Sequence, residues 1–153
     1  MTVRITARRL AASLAAAAFG TALTVLMPAS ASADHESLPP PCSPQADACI
    51  DLSEFSSWLM QDGAVTYGPV LISHGRDGFE TPPGVFRVSF KNKDHISSIY
   101  NTPMPYAVFF NGGIAFHAGD PYVASHGCIH LYYEDAVTYF DTLQVGDVVE
   151  VVE

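Results

Sequence analysis

Residues 106–117 read Tyr-Ala-Val-Phe-Phe-Asn-Gly-Gly-Ile-Ala-Phe-His, two short apolar runs separated by Asn111-Gly112-Gly113. Apolar, aromatic and β-branched residues on either side of an Asn-Gly turn are the mark of a β-hairpin, so strands are predicted over 106–110 and 114–117. Upstream, Trp58-Leu59-Met60-Gln61 and Ala64-Val65-Thr66-Tyr67 flank Asp62-Gly63, a second hairpin on a two-residue turn. Gly68-Pro69 punctuates the chain before another strand over 70–73, and GRDGFETPPG at 75–84 is a loop rich in turn residues. The segment 85–90 places Arg and Ser between apolar neighbours, as a half-buried strand does, whereas 91–105 is polar and reads as irregular.

Downstream, 134–143 is the one convincing helix, with Ala136, Val137, Phe140 and Leu143 at helical spacing and acids in its first turn. Gly146 is expected to close it, and 147–152 to form a last strand. There is no internal repeat. The pattern predicts a mainly β protein of the small α+β kind, a compact sandwich or barrel with one short helix.

The whole chain has 153 residues, of which 48% are hydrophobic, 11% aromatic and 15% charged. That content is enough for a packed core and too apolar for disorder. Its first 33 residues are unlike the rest. Arg4, Arg8 and Arg9 precede an uncharged apolar run over 10–27, and Ala31-Ser32-Ala33 follows as a small-residue cleavage box. This is the pattern of a secretory signal peptide, 1–33, which is expected to be removed rather than kept as an anchor. No second long apolar run follows, so no membrane insertion is expected after removal. Three divisions result: the signal at 1–33, a Pro-rich lead at 34–49, and one domain at 50–153.

Cleavage leaves four basic residues against 16 acidic ones, a net charge of −12. Such a chain is not a nucleic-acid binder, and an acidic wall polymer would have to be recognised by local contacts. A monomer is expected. Export places the three cysteines in an oxidising compartment. Any two could pair. Cys42 and Cys49 are favoured because the loop between them is short and contains Pro44, leaving Cys128 as an odd thiol in a secreted protein.

Cys128 lies in FHAGDPYVASHGCIH, residues 116–130, where chemistry-bearing side chains concentrate. A thiol at its ordinary pKa of about 8.5 is only a few per cent ionised at neutral pH. A neighbouring imidazole can take the proton and hold the thiolate as an ion pair. His117 ends a strand before a Gly-Asp-Pro turn, so the chain can return to bring the ring beside Cys128. Gly127 allows close backbone approach, with main-chain N–H groups available for an oxyanion hole. If 125–130 is extended, His126, Cys128 and His130 share one face. With His117 they could then ligate zinc, but His-x-Cys-x-His is not a usual zinc spacing, and neither metal nor cofactor is expected. His35, His74 and His95 stand alone in polar segments and receive no role.

These residues resemble a family. PMPYAVFFNGGIAFHAG followed by SHGCIHL is similar to the L,D-transpeptidase catalytic domain, also called the YkuD domain. The likeness extends back through Gly75-Arg76 and TPPGVF at 81–86, and forward through Asp135-Ala136 and Gly146-Asp147-Val148. It implies a cysteine acyltransferase acting on peptidoglycan stem peptides: attack on the L,D bond of a tetrapeptide donor, then transfer of the acyl group to an amine. Carbapenem β-lactams would be inhibitors, and the cell envelope the location. Carried onto this chain, Cys128 is the nucleophile, His117 its base, and the Ala118 carbonyl orients the ring. Ser125, His126 and Gly127 shape the oxyanion hole, while Tyr106 and Tyr122 line the substrate groove. Two departures are visible. Only eight positions separate His117 from Ser125, so the lid between them is short. His130 stands where the family commonly has Arg, facing the donor stem. A hydrolase on the same scaffold and a non-catalytic wall-binding module are the alternatives.

Overall fold

The computed structural model describes residues 39–153. The expected signal peptide and residues 34–38 of the lead lie outside that range. Within it the chain forms β1 (Ala48–Asp51), β2 (Ser56–Gln61), β3 (Ala64–Leu71), β4 (Gly84–Arg87), β5 (Phe90–Ile96), β6 (Pro103–Asn111), β7 (Ile114–Ala118), β8 (Ile129–Leu131), α1 (Tyr133–Thr142) and β9 (Val148–Val152). One sheet has the order β3-β2-β1-β9-β4 and the other β5-β6-β7-β8. Neighbours run antiparallel except β1 with β9 and β7 with β8.

The two sheets share one core. Ile50, Leu59, Val149 and Val151 come from the first, Val108, Phe110, Phe116, Ile129 and Leu131 from the second, and α1 adds Ala136 and Tyr139. Each large apolar side chain so buried contributes roughly 1.5–3 kcal/mol. Two hydroxyls are carried into this core and satisfied there. Tyr139 Oη donates to Ser57 Oγ at 2.9 Å, and Ser57 Oγ donates to the Cys49 carbonyl at 2.7 Å, tying α1 to β2 and β1.

The predicted β-sandwich with one short helix is what forms. Both hairpins are present: Asp62 and Gly63 take φ values of 52° and 80°, the paired positive values of a tight turn matched to strand twist. The helix starts and ends one residue earlier than expected. Its last turn passes into extended backbone at Leu143, so Gly146 does not close it; that glycine sits in the next turn and donates its N–H to the Val88 carbonyl.

Three strand expectations are corrected. Gly68-Pro69 does not interrupt β3, because β3 is a sheet edge, where a missing N–H leaves no ladder bond unmade. The strand expected at 85–90 is two strands in different sheets. Val88 donates to the Asp147 carbonyl beside the first sheet and Ser89 to the Phe109 carbonyl in the second, so the chain crosses between layers at that step. β5 runs from Phe90 to Ile96, so 91–96 of the segment expected to be irregular is strand. This strand is also an edge, mostly exposed, so no apolar alternation marks it; the β6 ladder holds it, with Phe90 and His95 packed on Phe109. β1 was hidden in the cysteine-rich lead and begins two residues ahead of position 50; it occupies the middle of its sheet, between β2 and β9. The expected Cys42–Cys49 bridge is present and packs on Trp58 and Met60, while Cys128 is a free thiol.

Candidate active site

Alternation along the second sheet creates the site. Phe116 on β7 and Ile129 and Leu131 on β8 point into the core, so His117 and His130 point to the opposite face. These two are register partners on adjacent parallel strands, and their ring centroids are 4.9 Å apart. On that outer face Met104, Ala107, Phe109 and Ala115 make a small apolar floor against which Cys128 packs.

His117 Nδ1 lies 2.9 Å from the Ala118 carbonyl oxygen. A carbonyl only accepts, so Nδ1 carries the proton and Nε2 keeps its lone pair for use as a base. This is the orienting role that the resemblance implies for Ala118. Burial lowers the pKa of His117 to about 4; the Ala118 hydrogen bond opposes this, and His130 and His95 reinforce it. Burial also pushes the Cys128 thiol up, against a main-chain hydrogen bond from Ala115. Both directions favour uncharged partners. The thiol donates to the Gly113 carbonyl, 3.7 Å away in the β6–β7 turn. These directions favour a neutral thiol and a neutral imidazole over the ion pair that the sequence suggested.

The segment 125–128 is a turn rather than a strand, since β8 begins only at Ile129. Ser125 Oγ donates to the Cys128 carbonyl at 2.6 Å and accepts the Gly127 N–H at 2.9 Å, closing the turn on itself. Gly127 has φ 106°, and a Cβ there would come within 3.2 Å of the Ile114 side chain. Only glycine takes this conformation readily. The Gly127 N–H is thus committed to the turn. Thr81 Oγ1 donates to the Gly127 carbonyl at 2.8 Å and accepts the Gly75 N–H at 3.0 Å, so the TPPG loop clamps the same turn. A side chain at Gly75 would collide with the Phe79 carbonyl.

The remaining expected site residues divide. His130 shares a cavity of about 680 Å³ with Cys128 and His117, and its Nδ1 donates to the Val123 carbonyl at 2.9 Å, holding the short lid. His126 lies on the rim of that cavity. Its place in a turn takes it off the face expected of it, and its ring lies against Tyr100 and Phe79. Tyr106 is not in the cavity. It sits at φ 56° and turns its ring toward Tyr133 and Phe140 on the helix side. Tyr122 is 77% exposed and borders a separate cavity of about 790 Å³ with Phe55 and His74, which lacks Cys128. Among the described residues no cluster of three or more His, Cys, Asp or Glu is arranged to hold a metal ion. Sequence reasoning missed Arg76, Tyr100 and Met104 as cavity residues, and Thr81 and Gly113 as partners of the turn and the thiol. Arg76, Thr81, Met104 and Gly113 carried a signal as members of the family-like stretches, and Tyr100 carried none.

Residues 45–151 match the family model of the L,D-transpeptidase catalytic domain, YkuD. Among solved structures, an L,D-transpeptidase from Stackebrandtia nassauensis superposes with a TM-score of 0.66 at 31% identity, over 69% of this chain and 54% of that one. One from Mycobacterium tuberculosis H37Rv gives 0.62 at 30% identity, over 68% and 56%. L,D-transpeptidase 3 from Mycobacterium tuberculosis, in complex with a faropenem-derived adduct, gives 0.62 at 25% identity, over 68% and 58%. A search of curated proteins finds no match. This chain thus covers little more than half the length of these structures. The matched span holds both sheets, the helix and the Cys128–His117 site, and the chain belongs to the L,D-transpeptidase (YkuD) catalytic-domain family.

Proposed function

We propose that this protein is an exported L,D-transpeptidase of the cell envelope that works through a Cys128 acyl-enzyme on peptidoglycan stem peptides. The observation that carries the reading is the His117 Nδ1–Ala118 hydrogen bond, which leaves Nε2 as a proton acceptor in the cavity that holds Cys128. As the thiol sulfur attacks the carbonyl of the L,D bond, Nε2 takes its proton. An S–C bond forms, the C–N bond to the terminal D-residue breaks, and the imidazolium returns the proton to the leaving amine. An acceptor amine then attacks the thioester, with His117 again taking a proton and Cys128 released as the thiol. Because both groups rest neutral, proton transfer accompanies attack and no stored thiolate is required. Gly127 and Ser125 hold the turn that presents the nucleophile. Family membership and the faropenem-derived adduct of the Mycobacterium tuberculosis relative support β-lactam acylation. The leader at 1–33 supports export.

Intact-mass measurement after exposure to a carbapenem tests this. One adduct is expected on the wild-type protein and none on Cys128→Ala. An adduct that persists in the variant would refute the assignment of the nucleophile.

A further inference from the structure

The cavity around Cys128 differs in charge from the protein that surrounds it. The described residues contain four lysines and arginines: Arg76, Arg87, Lys91 and Lys93. Arg87 donates to the Gly146 carbonyl, Lys91 lies over Phe140, and Lys93 lies over Tyr106. Arg76 alone reaches the Cys128 cavity, and no aspartate or glutamate lines that cavity. In a chain this acidic, a cavity with a guanidinium and no carboxylate is suited to an anion.

The guanidinium is also held in place. Its Nη2 donates to His126 Nε2 at 2.6 Å, and its carbon lies 4.8 Å from the centre of the Phe79 ring. Phe79 and Tyr100 in turn pack on the His126 ring, with centroids 4.6 and 4.3 Å away. Accepting from Arg76 leaves the His126 proton on Nδ1, so the contact adds no second positive charge. The other guanidinium N–H groups are left for a ligand, and arginine grips carboxylates through two parallel bonds. The backbone fixes where this grip sits. Arg76 N–H donates to the Ser125 carbonyl at 3.1 Å, and Ser125 N–H to the His74 carbonyl at 2.9 Å. Ser125 Oγ bonds the Cys128 carbonyl, so guanidinium and nucleophile are anchored to one turn.

Building on the transpeptidase reading, we propose that Arg76 binds the terminal carboxylate of the donor stem, with His126 as its positioning residue. The terminal residue lies next to the bond that Cys128 attacks, so its carboxylate is the anion nearest the nucleophile. Holding it selects donors that end one residue beyond the scissile bond, and the exposed position of Arg76 lets the released amino acid leave.

The test compares two tetrapeptide donors, one with a free terminal carboxylate and one with a carboxamide, by release of the terminal residue. Arg76→Gln should raise KM for the acid donor about tenfold to a hundredfold, the scale of a hydrogen-bonded charge pair, with little change in kcat. For the amide donor the variant and wild type should agree within about twofold. Arg76→Lys should recover part of the loss. His126→Ala should add nothing to the acid-donor KM in the Arg76→Gln background. Equal losses on both donors, or an unchanged KM, would overturn the assignment while leaving transpeptidation intact. A wild-type protein that releases the terminal residue from neither donor would overturn both readings.

Discussion

The neutral resting pair at the site has a consequence that two probes of Cys128 can separate. A small alkylating agent such as iodoacetamide reacts with the thiolate already present. An ordinary thiol is about 3% ionised at pH 7, and Cys128 lies below that because burial pushes its pKa up. Its alkylation rate should therefore climb about tenfold per pH unit between 6 and 8, without levelling. In the proposed mechanism a carbapenem instead reacts through proton transfer to His117, which needs only a neutral imidazole. With the His117 pKa lowered to about 4, acylation should be half-maximal near pH 4 and flat from the mildly acidic range to neutrality. Removing the base by His117→Ala should slow acylation about a hundredfold to ten-thousandfold and abolish its acid limb, leaving the slope of alkylation in place. Rates come from intact mass against time for each probe in matched buffers. Wild-type alkylation that is independent of pH between 6 and 8 would refute the reasoning, because it would reveal a thiolate already paired with a charged His117.

Three further outcomes are expected. Folded His117 holds its proton less tightly than the ordinary pKa of 6.5, so the unfolded chain binds the extra proton between pH 6.5 and 4. Stability present above pH 6.5 should fall by about 3 kcal/mol as the pH drops to 4, and urea unfolding of His117→Gln should show that much less acid sensitivity. Gly127→Ala must place a side chain at φ 106° against Ile114 and should cost about 1–3 kcal/mol in thermal melts while slowing carbapenem acylation. An unchanged melt would show that the turn relaxes freely. Replacing Cys42 and Cys49 together by Ser should cost about 2–3 kcal/mol by urea unfolding, with Cys128 acylation unaltered, since the bridge lies with Trp58 and Met60 rather than at the site.

Much of this molecule is written locally. The 106–117 hairpin, the Asp62-Gly63 turn, the helix and the last strand were legible because each joins a periodic apolar pattern to turn chemistry within a few residues. Cys128 and His117 stood out for a similar reason: an odd cysteine stands in SHGC, with a histidine at the end of a strand. Even the pairing of Cys42 with Cys49 was favoured by a short loop, and the bridge is present. What the sequence could not reveal depends on partners far along the chain. β5 carries no alternation because it is an edge strand, held by the ladder to β6 and by contacts of Phe90 and His95 with Phe109. β1 looks like part of a cysteine-rich lead until β2 and β9 close on either side of it. The charge state of the site was decided the same way, since burial depends on how two sheets pack, and it holds His117 and Cys128 neutral against the ion pair that their chemistry alone suggests. Arg76 reads as one residue of a polar loop. Only the bonds that tie that loop to Ser125 bring its guanidinium into the cavity of Cys128.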